Sequence, residues 1–110
     1  MDEILLQIGN RIFERRKQLR MTQEELSERA EVTPQTISSA ERGQKSLRSE
    51  NLFRVSKALG VSTDYLLTGS VTGDDLQYLS NKLSGLSPAQ YRYLEDIIDS
   101  FLAAVKGKET

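Results

Sequence analysis

The stretch that most constrains the fold is Thr22–Glu41, with the sequence TQEELSERAEVTPQTISSAE. Thr22 is followed three residues later by Glu25, which is the pattern of a capping box at the start of a helix. Thr33 precedes Pro34, and proline is favoured at the first helical position because the N–H that it lacks would have no partner there. Two short helices joined by a tight turn are therefore predicted, over residues 23–30 and 34–41.

The second of these helices is predicted to have an inner and an outer face. Ile37 and Ala40 supply the inner face, and small polar or amide side chains remain on the outer face. A glutamine can bond adenine through two hydrogen bonds, and serine or threonine can bond several base edges in the DNA major groove. The outer face therefore predicts base contacts, with Gln35 and Ser39 as the leading candidates. The full candidate set is Thr33, Pro34, Gln35, Thr36, Ser38 and Ser39.

Three separated stretches carry a resemblance to a known family. Residues 22–41 resemble the helix-turn-helix of the phage-repressor/Cro (Xre) family of bacterial transcriptional regulators. Residues 8–19 resemble the family's first helix, and residues 59–69 resemble the close of its domain. The resemblance covers about residues 4–69. It implies an all-α fold, with a five-helix Cro/C1-type DNA-binding domain over residues 1–69 whose helix 34–41 enters the major groove.

The same resemblance implies roles for further residues. Arg16 is expected to pair with Glu41 as a structural ion pair. Gln23 is expected to contact a DNA phosphate at the amino end of its helix, although a solvent-facing role is the alternative. The remaining predicted phosphate contacts lie just beyond helix 34–41, at Arg42, Lys45 and Arg48.

Helix one is predicted over residues 3–19, with Arg15 and Lys17 facing solvent. Ser49 is predicted to cap the fourth helix. Apolar spacing predicts which side chains of that helix face the core. They are Leu52, Phe53, Val55 and Leu59.

Composition argues against several functional classes. The chain has no cysteine and no histidine, which removes thiol nucleophiles, imidazole bases and the usual zinc ligands. It also has no glycine-rich phosphate or dinucleotide fingerprint, so neither an enzyme nor a cofactor is expected. Residues 1–60 hold eleven basic and nine acidic residues, and residues 61–110 hold four and seven. Because this polarity is weak, the motif and not the net charge must support DNA binding.

The remaining sequence predicts a second helical segment. No signal peptide or membrane span is apparent, so a cytoplasmic location is expected. Residues 70–75 read as a linker, in which Asp74 or Asp75 can cap a helix. Ser87 and Pro88 start a long helix within the segment 76–110 that reaches about Val105. Its apolar stripe, predicted for dimerisation, includes Leu94, Ile97, Ile98, Phe101, Leu102 and Val105.

The apolar stripe leaves two functions open. It could pair with a second copy, since a dimer reads two half-sites about one helical turn apart, or it could fold back onto its own domain. The first function is a repressor that binds a palindromic DNA operator as a homodimer. The alternative is an interaction module, antitoxin-like or responsive to a peptide or protein effector, in which DNA binding serves autoregulation.

Overall fold

The computed structural model describes residues 2–108, apart from the side chain of Lys108, and every regular element among them is a helix. This confirms the all-α prediction. Seven helices follow one another along the described chain. They are α1 (Glu3–Gln18), α2 (Gln23–Ala30), α3 (Pro34–Glu41), α4 (Ser49–Leu59), α5 (Thr63–Thr68), α6 (Gly73–Lys82) and α7 (Pro88–Lys108).

Local start signals determine where most of these helices begin. The Glu25 backbone N–H donates to Thr22 Oγ1 at 3.0 Å, and the Glu25 carboxylate accepts from the Thr22 N–H in return. The capping box predicted for α2 is thus present. At α4 the sequence prediction was wrong, because the helix begins at Ser49 itself and Arg48 occupies the cap position without a side-chain bond.

The chain divides into two compact units, Met1–Leu79 and Ser80–Thr110. In the first unit, α1 packs on α3, α4 and α5, while α2 packs on α3 and α4. The largest side chains in its core are completely buried, and each helix from α1 to α5 contributes at least one of them. They are Ile12, Leu26, Ile37, Val55, Leu59 and Leu66.

Gly9 permits the close approach of α1 to α3. A Cβ at this position would meet the carbonyl oxygen of Ala40 and would lie 2.6 Å from that of Glu41. Both obstacles are backbone atoms, which cannot rotate away as a side chain can. The small residue on α1 therefore fixes how α3 is presented at the surface.

Two predictions for side chains of this unit were wrong. Phe53 is 55% exposed on α4, and not in the core. Arg15 does not simply face solvent, because its Nε–H donates to the carbonyl oxygen of Leu59 at 2.9 Å. This bond satisfies one of the carbonyls left free at the end of α4.

The second unit contains the end of α6 and all of α7. Ser87 and Gln90 form a capping box at the start of α7, with reciprocal bonds of 2.9 and 3.2 Å. No described side chain of α7 is buried. Among the described residues, no helix is both long enough and apolar enough to cross a membrane.

Candidate nucleic-acid interface

The outer face of α3 is built from its amino end. Thr33 Oγ1 accepts from the Thr36 backbone N–H at 3.1 Å and lies 2.8 Å from Thr36 Oγ1. Pro34 occupies the first helical position, as predicted from its sequence context. Pro34 and Gln35 are exposed, and Thr36 and Ser38 are half-buried. The start of α3 therefore presents an amide and short hydroxyl side chains to solvent.

Ser39 differs from its sequence-based prediction. It was expected on the outer face, but it is only 6% exposed. Its hydroxyl oxygen accepts a hydrogen bond from Gln35 Nε2 at 3.2 Å. Since Ser39 lies one helical turn after Gln35, its hydroxyl holds the Gln35 amide in place along the same side of α3.

A cleft runs between the outer face of α3 and the segment that leads into α4. One wall holds Gln35, Thr36 and Ser39. The other wall carries two cationic side chains, Lys45 and Arg48, which are both exposed, together with Ser46, Leu47 and Asn51. Cations opposite a polar helix face suit a DNA backbone that flanks the bases being read.

Asn51 was missed by the sequence analysis. It lies in the first turn of α4 and lines the cleft beside Arg48. An amide side chain that close to the predicted basic loop was the available signal.

Arg16 of α1 and Glu41, the last residue of α3, form a buried ion pair. Arg16 Nε and Nη2 donate to the two Glu41 carboxylate oxygens at 2.7 and 2.9 Å, and the side chains are 6% and 5% exposed. Arg16 Nη1 also donates to the Met21 carbonyl oxygen at 2.9 Å. The hydrogen bond with Glu41 raises the pKa of Arg16 above its ordinary value, so the guanidinium stays charged. This pair ties the end of α3 to α1.

Gln23 extends the same network. Its Nε2 donates to Glu41 Oε1 at 3.0 Å, which holds the amide at the amino end of α2. A shallow depression next to it is lined by Lys17 and Arg20, among other residues. These two cationic residues were not among the predicted site residues, although their positions at the turn before α2 were visible in the sequence.

Arg42 follows the last residue of α3 and is its C-cap. It is exposed, and its Nη2 donates to Gln44 Oε1 at 3.1 Å. The structure therefore brings together Gln35, Ser39, Lys45 and Arg48 at one cleft. Gln23 belongs to a separate cluster at the start of α2.

The fold and this arrangement define a helix-turn-helix protein. A helix-turn-helix family model matches residues 12–66, half of the chain, and the chain belongs to the phage-repressor/Cro (Xre) helix-turn-helix family of transcriptional regulators. The repressor protein C2 of Salmonella phage P22 is 40% identical over 73 residues, which are 66% of this chain and 34% of that protein. The chain thus spans about a third of that relative.

Two solved structures resemble the chain. The P22 c2 repressor in complex with a synthetic operator is 43% identical, with a TM-score of 0.56, over 57% of this chain and 96% of that one. A SinR protein/SinI protein complex contains a chain that is 30% identical, with a TM-score of 0.53. That match covers 87% of this chain and 98% of the other, so it extends beyond the helix-turn-helix.

Proposed function

We propose that this chain is a sequence-specific DNA-binding repressor that acts as a homodimer on a palindromic operator. The observation that carries the proposal is the exposed Gln35 amide on a capped helix, opposite the cations of the α3–α4 cleft. The likeness to a repressor that was solved on its operator supports it. The site binds DNA and performs no catalysis.

In this mechanism α3 enters the major groove. The Gln35 amide exchanges its bond to Ser39 for two bonds to an adenine edge. Thr33, Pro34, Thr36 and Ser38 lie on the same edge of α3, where a hydroxyl can bond a base and the proline ring can touch a thymine methyl. Lys45 and Arg48 then contact phosphates beside the groove, as do Gln23 and Arg42.

The test of base reading begins with a binding-site selection on the full chain. We expect Gln35→Ala to lower the ratio of the affinity for the selected operator to that for random DNA. The corresponding loss of binding free energy is about 1–3 kcal/mol per half-site. Gln7→Ala is the matched control, because Gln7 is an exposed glutamine on α1 outside the cleft. An unchanged affinity ratio for Gln35→Ala would contradict the proposed role of α3.

Phosphate contacts make a different prediction for the same assay. Arg48→Ala should weaken binding to operator and random DNA alike, and should reduce the slope of log affinity against log salt by about 1. Arg54→Ala is the control, since Arg54 lies in an exposed ion pair with Glu50 on α4. A loss confined to one DNA sequence would instead place Arg48 on a base.

Dimerisation is assigned to the apolar stripe of α7. Its side chains at Ile97, Ile98, Phe101 and Leu102 are exposed, and such a surface is seldom left uncovered. Leu94 and Val105 extend the same stripe at helical spacing. Sedimentation equilibrium should show a dimer for the full chain and a monomer for Ile98→Asp. Ala103→Asp places the same charge on the opposite face of α7, at an exposed position, and should leave the dimer intact.

A second candidate function is supported by the match to the SinR/SinI complex, which includes the region of α7. In this reading the stripe binds a different protein, as an antitoxin or effector-responsive module would, and DNA binding serves autoregulation. A wild-type chain that sediments as a monomer would favour it over the homodimer.

A further inference from the structure

A single carboxylate holds the amino end of α6. Asp75 Oδ1 accepts from the Ser62 backbone N–H at 2.7 Å. Its Oδ2 accepts from Ser62 Oγ at 2.7 Å, from the Thr72 backbone N–H at 2.9 Å and from Thr72 Oγ1 at 3.3 Å. The cap predicted at Asp74 or Asp75 was wrong, because both residues lie inside the first turn of α6. Asp75 joins that turn to the residue before α5.

The chemistry of this contact requires a carboxylate. All four neighbouring groups are donors, and an ionised carboxylate only accepts. The Ser62 hydroxyl oxygen accepts a hydrogen bond from the Tyr65 backbone N–H at 2.9 Å, so its own O–H is available to donate to Asp75. Partial burial of Asp75 disfavours its charge, but the bonds from Ser62 and Thr72 outweigh that and lower the pKa of Asp75 below its ordinary value.

The chain between α5 and α6 is held at its other end as well. Arg11 Nη1 donates to the Leu66 carbonyl oxygen at 3.0 Å, and its guanidinium lies against Gly69. The Ser70 backbone N–H donates to Thr68 Oγ1 at 3.2 Å. No residue of α6 is buried, so hydrogen bonds and not apolar packing secure its first turn. Residues 73–75, which the sequence assigned to the linker, are helical.

We propose that Asp75 is a positioning residue that fixes the first turn of α6 relative to the start of α5, and that this restraint narrows the range of half-site spacings that the dimer accepts. The inference rests on the proposed function, because it assumes two copies joined through α7. With the carboxylate bound, the tether from α5 to α6 has one length and one direction. Without it, residues 70–72 become a flexible connection to the first turn of α6.

The size of the effect follows from the length of that connection. Three flexible residues have a root-mean-square span of about 9–10 Å. Two base pairs inserted between half-sites move them apart by about 7 Å and rotate one against the other by about 70°. A dimer with a flexible tether can still bind both half-sites after such a change. A dimer with a fixed tether can bind only one of them, and so loses the affinity that simultaneous binding provides.

The experiment uses the full chain and duplexes that carry the selected operator with its centre shortened, unchanged or lengthened by two base pairs. Fluorescence anisotropy gives the affinity for each duplex and for a single half-site. The variant is Asp75→Asn, which keeps the shape but replaces one acceptor by a donor. Asp74→Asn is the matched control, because Asp74 is the neighbouring exposed acid in the same helical turn.

We expect wild type and Asp74→Asn to lose about tenfold or more in affinity when the spacing changes, and Asp75→Asn to lose about threefold or less. All three should bind the single half-site equally, because that surface is untouched. A spacing profile of Asp75→Asn equal to that of wild type would overturn the inference. A wild-type chain with no preference for two half-sites over one would overturn the proposed dimer itself, and the inference with it.

Amide hydrogen exchange on the wild-type chain tests the same contact without a variant. The Ser62 and Thr72 amides donate to Asp75, so both should exchange slowly. Exchange of both amides at the rate of an unstructured chain would overturn the inference even if Asp75→Asn proved too unstable to study.

Discussion

Ile37 of α3 and Ile97 of α7 are the same side chain in two helices of one chain, yet Ile37 is completely buried and Ile97 is 65% exposed. Both lie in apolar stripes that the sequence identifies equally well. The difference is that α3 packs on α1 and α2 within its unit, whereas α7 has no described buried side chain. Hydrophobic periodicity therefore shows which face must be covered, and not what covers it.

The largest predicted effect contrasts the ion pairs of the two units. Glu41→Ala leaves the buried Arg16 guanidinium without its carboxylate, and should lower the free energy of unfolding by about 3–5 kcal/mol. Glu95→Ala breaks the exposed Arg92–Glu95 pair of α7 and should cause no measurable loss. Urea-induced unfolding followed by circular dichroism measures both. An unchanged free energy of unfolding for Glu41→Ala would show that the pair contributes little to the stability of the first unit.

The two isoleucines give the next contrast. Ile37→Ala should lower the free energy of unfolding by about 2–5 kcal/mol, because it leaves a cavity in a packed core. Ile97→Ala should leave the unfolding of the first unit unchanged and weaken the dimer in sedimentation equilibrium. Equal destabilisation by the two substitutions would mean that α7 is covered within a single chain.

Helix caps should show a smaller and more equal effect. Thr22→Ala removes the cap of α2 and should cost about 1 kcal/mol of unfolding free energy. Ser87→Ala removes the matching cap of α7 and should lower the helical circular dichroism signal without shifting the unfolding of the first unit. If Ser87→Ala shifted that unfolding as much as Thr22→Ala, the two units would unfold together.

The smallest effect concerns pH. The pKa of Asp75 is lowered on folding, so the unfolded chain binds the proton first and stability rises with pH through the acid range of aspartate. The contribution is complete above the ordinary pKa and is lost as the pH falls through the lower folded value. Asp75→Asn should flatten this part of the profile of stability against pH, and Asp74→Asn should not. Identical profiles for the two variants would contradict the bonds to Ser62 and Thr72.

Much of the fold was predictable because its signals are local. Thr22 with Glu25, Thr33 with Pro34, and Ser87 with Gln90 each determine a helix start from residues within one turn. The apolar spacing of α3 and α4 also placed Ile37, Ala40, Val55 and Leu59 in the core correctly. These signals act before any tertiary contact forms, so they can be read from the sequence.

The errors have a common cause. Ser39 was taken for an outer-face residue, but it is buried at the last turn of α3, in the cleft whose far wall is the segment after α3. Phe53 was assigned to the core because its spacing fits, yet α2 and α5 cover other faces of α4. In each case the position of a neighbouring element decided exposure, and periodicity within one helix carries no information about that.

The sequence by itself thus determined the helices, their order and the family, because capping, proline placement and apolar spacing are properties of short stretches. Only the tertiary structure decided that Arg15 donates to the Leu59 carbonyl oxygen at the end of α4 and that Asp75 binds Ser62. The contacts with Leu59 and Ser62 join residues 44 and 13 positions apart in the chain. Such partners meet only after the helices have packed. A hydrogen-bonding group that one helix leaves free then finds its partner on the element that packing has brought next to it.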